Sequence, residues 1–214
     1  MTDPSISAPT RHSARRVGAV AFAVMTLALM GVLGACGKDR VAVPRPLADA
    51  LATMQESGGY TFTATVDTGT SSITTSGTFQ APNRIAQMVS RTGSSPVVMV
   101  LDGATVHVQD PTSGAWSTQP ATTTSTIDLR RTFVALSSPT SMKQSDSTYT
   151  FTLTNEATRT LAGSGTEGAA KVTTTVGSVG LAQLTYEVTV NGQPVIVTID
   201  YRDVGTAPAV TVPA

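Results

Sequence analysis

The stretch that decides the fold is A-Q-L-T-Y-E-V-T-V-N-G-Q-P-V-I-V-T-I-D-Y, residues 182–201. Ala182, Leu184, Tyr186, Val188 and Val190 alternate with polar partners, and Val195, Val197, Ile199 and Tyr201 alternate on the return. Period two over such a length marks half-buried strands, because successive side chains on a strand point to opposite faces. Asn191-Gly192 sits between them, and this pair readily takes the positive φ angles of a two-residue hairpin turn. An antiparallel hairpin therefore closes the chain.

The same period extends upstream. Tyr149, Phe151 and Leu153 alternate with threonine, and Lys171–Val176 reads as a further strand. Tyr60, Phe62, Ala64 and Val66 alternate with Thr61, Thr63 and Thr65, which puts β-branched residues on the wet face. Ser71–Gln80 and Arg84–Ser90 follow on either side of an Ala81-Pro82-Asn83 turn. Pro96–Leu101 is apolar throughout, which predicts cover on both faces. Asp102-Gly103 turns the chain into Ala104–Gln109, and residues 110–114 turn it again before Trp116.

Helical spacing interrupts this pattern. Leu47, Ala50, Leu51 and Met54 form one apolar face after Pro46, and Gly58-Gly59 is the expected stop and left-handed cap. Ser117–Ser125 reads as a Thr-rich loop. Ser125 or Thr126 then caps a second helix through about Leu136, with Ile127, Phe133 and Val134 apolar. Ser137–Met142 reads as a break at Pro139, Asn155 caps a short helix ending near Gly163, and Gly163–Ala170 reads as flexible.

These elements predict an α+β domain: one curved antiparallel sheet, a half-barrel, with helices packed on its concave side. Tyr60-Thr61-Phe62-Thr63-Ala64, Ser76-Gly77-Thr78-Phe79 with Pro82 and Arg84, Leu101-Asp102-Gly103 before Trp116, and Ile199–Gly205 running into Val210–Pro213 resemble the LolA/LolB-like fold. They look particularly like the actinobacterial lipoproteins of the LprG/LppX type. It covers most of residues 46–213, as pattern and element order. It implies an apolar cavity between sheet and helices that takes acyl chains, and hence a lipid or lipidated-glycan ligand.

The N-terminal segment agrees with export. Arg15-Arg16 precedes the apolar run Val17–Val32, which ends on Leu33-Gly34-Ala35-Cys36. A basic segment, an apolar core and a small-residue cleavage site make a secretory signal. Its end resembles the lipobox of bacterial lipoproteins. That resemblance implies cleavage after Ala35, an S-diacylglyceryl group and N-acylation on Cys36, and residence at the outer face of the cell membrane. The competing reading is an uncleaved membrane-spanning helix, for which Val17–Ala35 is nearly long enough. Arg15-Arg16 alone does not complete a twin-arginine signal. The expected organisation is thus residues 1–35 as signal peptide, 36–45 as lipidated tether and 46–214 as lipid-binding domain.

Charge and residue types narrow the function. The chain carries 14 basic and 14 acidic residues, and Arg11, Arg15 and Arg16 against Asp3 leave with the signal. The slightly acidic remainder argues against a nucleic-acid partner. Cys36 is the single cysteine, so the domain folds without disulfides. No enzyme site assembles. His107 is the one histidine after the signal, and it shares a strand face with Thr105 and Gln109 as a solvated residue. No G-x-S-x-G elbow occurs, and Gly163, Gly165 and Gly168 form only a loose G-x-G-x-x-G in small polar sequence. Neither metal nor cofactor is expected. Two readings remain: a lipid carrier at the cell envelope, or a non-enzymatic surface interaction module whose apolar interior is simply core.

Overall fold

The computed structural model describes residues 41–121, 129–163 and 165–213, and its strands form one open antiparallel sheet. They are β1 (Gly59–Asp67), β2 (Ser72–Gln80), β3 (Arg84–Arg91), β4 (Val97–Asp102), β5 (Thr105–Gln109) and β6 (Trp116–Pro120) in the first half. The second half holds β7 (Pro139–Ser145), β8 (Thr148–Leu153), β9 (Thr166–Val176), β10 (Leu181–Val190) and β11 (Gln193–Arg202). Their spatial order is β6-β5-β4-β3-β2-β1-β11-β10-β9-β8-β7. One meander therefore runs outward from β1 to the β6 edge. The chain then crosses to the opposite edge and a second meander runs inward from β7, so that β11 pairs with β1 at the centre.

Register fixes which side chains face inward. Tyr60, Phe62, Ala64 and Val66 on β1 stand opposite Phe79, Gly77, Thr75 and Ile73 on β2. Phe62, Ala64 and Val66 also face Tyr201, Ile199 and Val197 on β11. The outward face is largely threonine. Thr150, Thr173, Thr185, Thr198, Thr65 and Thr74 occupy one cross-strand row over six neighbouring strands. Hydroxyls meet at 3.3 Å in the Thr150–Thr173 and Thr185–Thr198 pairs. A β-branched side chain suits the pleat, and its hydroxyl keeps an uncovered face wet.

Among the described residues, three α-helices lie on the inward face: α1 (Arg45–Glu56), α2 (Thr132–Ala135) and α3 (Asn155–Ala162). α1 buries Leu47, Ala50, Leu51 and Met54, the four residues of its apolar stripe. It approaches β9 and β10, α3 packs against β8 and β9, and α2 bridges the other two helices. Beneath them Tyr60 meets Phe79, Phe133 and Tyr201 at ring-centroid distances of 5.1, 6.1 and 5.4 Å. The closing hairpin has the expected turn, with φ of 51° at Asn191 and 72° at Gly192.

Several local expectations need correction. α1 does not end on a left-handed glycine: Ser57 leaves it in extended conformation, and its hydroxyl bonds the backbone of Gly59. Gly59 instead permits close strand pairing, because a Cβ there would stand 2.5 Å from the Phe79 carbonyl oxygen. Part of the expected loop after Trp116 is strand β6, which has no apolar alternation of its own and gains its ladder from β5. The break at Pro139 likewise opens edge strand β7, where proline at the first position costs no ladder bond. The second helix is a 3-10 turn at Leu129–Arg131 followed by α2, with Val134 exposed. Its expected start, Ser125–Asp128, and the part of the Thr-rich loop from residue 122 on lie outside the described residues. Thr154, not Asn155, caps α3 by accepting from the Ala157 amide. Most of Gly163–Ala170 belongs to β9, which begins at Thr166. Pro96–Leu101 is covered less than its composition predicts: only Val100 and Leu101 are buried, while Val97, Val98 and Met99 are half-buried.

Candidate functional site

The inward face divides into two territories. Under the helices, Tyr60, Phe79, Phe133, Phe151, Leu153 and Leu184 are buried in one packed cluster. Towards the turns that join β1 to β2 and β3 to β4, the inward residues include Ile73, Val89, Val97 and Met99. They are only half-buried, and they stand outside the packed cluster and the residues packed against it. Val66 and Val197 extend the same apolar surface onto β1 and β11. The result is an apolar concave wing continuous with a core but not consumed by it.

Polar groups on this face are few. Along β3 the inward positions are Ile85, Gln87, Val89 and Arg91. Arg91 is exposed at the mouth, opposite Ile73. Gln87 lies deeper, between Met99 and Gly77. Its Oε1 is sealed from solvent without a hydrogen-bond partner. Tyr186 faces inward beside Val197 and Val172. Burial of its phenol pushes the pKa up to about 12, although the residue as a whole retains some exposure. Tyr201 is pushed up too, by burial first and then by the nearby Tyr186. Neither phenol has a hydrogen-bond partner among the described residues. Both therefore remain neutral and polar in largely apolar surroundings.

The outward face offers a different surface. A depression of about 420 Å³ is lined by Thr61, Thr63, Ser76, Thr78, Asp200, Arg202 and Asp203. Thr61 donates to Asp203 at 2.8 Å, and Gln183 donates to Asp200 at 2.9 Å. Most of the lining side chains are hydroxylated or charged, which does not suit an acyl chain.

The singled-out residues fall in unrelated places. Cys36 lies outside the described residues. His107 is half-buried on the outward face, with Nδ1 3.5 Å from the Thr118 hydroxyl. Trp116 is half-buried on edge strand β6. Gly163 ends α3, and Gly168 has a φ of 73° within β9, so the glycine triplet belongs to a strand entry. Among the described residues, no group of three or more His, Cys, Asp or Glu is placed to hold a metal ion. No described helix is long and apolar enough to cross a membrane. Gln87, Arg91 and Tyr186 carried no sequence motif. Their signal was strand parity, a polar residue where the alternation demands an inward one.

This open sheet with helices on one face has a structural counterpart in LprF from Mycobacterium bovis. The chain shares the fold of LprF. The match has a TM-score of 0.53 at 12% identity and covers 79% of this chain and 95% of that one. A redesigned β-barrel, mFAP1, bound to DFHBI, aligns at 14% identity over 71% of this chain and 98% of its own, but its TM-score of 0.22 carries no fold information. No protein-family model matches the sequence, and no curated protein matches it significantly.

Proposed function

We propose that this chain is an exported lipoprotein, anchored through lipidated Cys36 at the outer face of the cell membrane, that holds lipid acyl chains in its concave wing. The observation that carries the reading is the group Ile73, Val89, Val97 and Met99, which faces inward yet takes no part in the core. Covering such a surface with a chain is favourable by about 0.8 kcal/mol per buried methylene, less the cost of ordering it. Arg91 at the mouth is the cation beside which an anionic head group would stand. The lipobox-like Leu33–Cys36 and the fold shared with LprF support the same reading. Two acyl chains on Cys36 suffice for stable anchoring, where one holds only marginally.

The test is to express the full chain in a bacterium that processes lipoproteins and examine it by native mass spectrometry. A mature N-terminus at diacylated Cys36, and a lipid released only on unfolding, are expected. An unmodified Cys36 sinks the anchor. A lipid-free protein that also fails to take up fluorescent acyl probes leaves the surface interaction module as the reading.

A further inference from the structure

Gln87 is a long polar side chain set deep in the wing, and its neighbours along β3 and directly across the sheet cannot pair with it. The other inward polar residue beside it among the described residues is Thr75, diagonal to it on β2 and opposite Val89. Ile85 and Val89 flank it along β3, while Met99 and Gly77 flank it across the sheet. Gly77 keeps this place open: a Cβ there would stand 3.0 Å from both the Gln87 Cβ and the Phe62 ring tip. One end of the amide is sealed and unpartnered, yet the residue as a whole is only half-buried, so the side chain borders the concavity. A buried, unpaired amide is costly, and apolar residues of similar shape fill such a place at less cost. Nothing in the packing accounts for glutamine here.

We propose that Gln87 is a specificity-determining contact for an acyl chain that carries a hydroxyl group midway along its length. This rests on the lipid-binding reading, with the head group at the mouth. With Oε1 sealed, the end of the amide open to a ligand is Nε2, and a hydroxyl on the chain accepts from it. Gln87 lies four residues from Arg91 along β3, a backbone distance of about 13 Å. The hydroxyl therefore belongs well down the chain and not beside the head.

The experiment compares stearate, 3-hydroxystearate and 12-hydroxystearate as displacers of a fluorescent acyl probe from the full-length protein, with Gln87→Leu alongside. The wild type is expected to bind 12-hydroxystearate about fivefold or more tightly than either of the others, the size of one net hydrogen bond. Gln87→Leu is expected to lose that preference, keep its affinity for stearate, and melt no lower than the wild type. Should Gln87→Leu fail to fold, Gln87→Met takes its place, and the wild-type ratio decides in either case. Stearate bound equally well by the wild type, or a preference that survives the substitution, overturns the role of Gln87 and leaves the lipid reading intact. Failure of all three acids to displace the probe, or of the probe to bind, overturns both.

Discussion

Two regions of one sheet face carry the same alternation and differ in what covers them. On β8 and β10, Phe151, Leu153 and Leu184 lie in the packed core, and α3 or α1 approaches these strands. On β3 and β4, Val89, Val97 and Met99 face the same way and remain half-buried outside it. Strand parity thus decides which side chains point inward. It does not decide whether protein fills the space in front of them. That depends on where the helices land, and α1 and α3 land on the second meander.

The comparison makes its largest prediction for paired truncations. Phe133→Ala removes a fully buried ring that meets Tyr60 and Tyr201, and should cost about 3–5 kcal/mol in denaturant unfolding. Val89→Ala in the wing should cost under about 1 kcal/mol, since no packed cavity is left behind. Equal losses would mean that the wing is core after all.

A second substitution probes the boundary between the regions. In Gly77→Ala the new Cβ would run into the Ala86 carbonyl oxygen and press on Phe62. A loss of about 1–3 kcal/mol is expected, and a neutral result would show that the β2–β3 pairing is loose.

Alkaline titration follows. Tyr186 and Tyr201 both have raised pKa values, Tyr186 to about 12. The unfolded chain ionises these phenols first, near pH 10, so their contribution to stability is complete below that pH. It is lost progressively as the pH climbs through 12. Phenolate absorbance should show late-titrating tyrosines among the four in the chain. All four ionising together near pH 10 in the folded protein would contradict the buried placement. The smallest effect belongs to the outward face, where His107→Ala should change stability by no more than about 0.5 kcal/mol.

Much of this fold was legible in the residues. The Asn191-Gly192 hairpin, the alternation of β1 and the stripe Leu47–Met54 each carry a periodicity that local chemistry enforces. Strands β6 and β7 were not legible, because W-S-T-Q-P and P-T-S-M-K-Q-S have no inward stripe and become strands by pairing at an edge. Helix α2 is shorter than its apolar content suggests, since Phe133 and Leu136 are buried while Val134 points outward. The candidate site was half legible. Apolar content marked β3 and β4 as strands against a core, with β4 expected to be covered on both faces, but a filled interior and an open one use the same residues. Gln87 and Arg91 gain meaning only from the register that places them.

The most direct test of the central claim is thiol accessibility in a Cys36→Ala background, where every other position is free of cysteine. Met99→Cys in the wing and Leu184→Cys in the core would be treated with a maleimide, with and without stearate. Met99→Cys should react at least about a hundredfold faster, because Leu184→Cys must wait for an opening of the structure. Stearate should protect Met99→Cys alone. Equal, slow labelling of the two positions, or fast labelling of Met99→Cys that stearate leaves unchanged, would contradict an open wing that holds acyl chains.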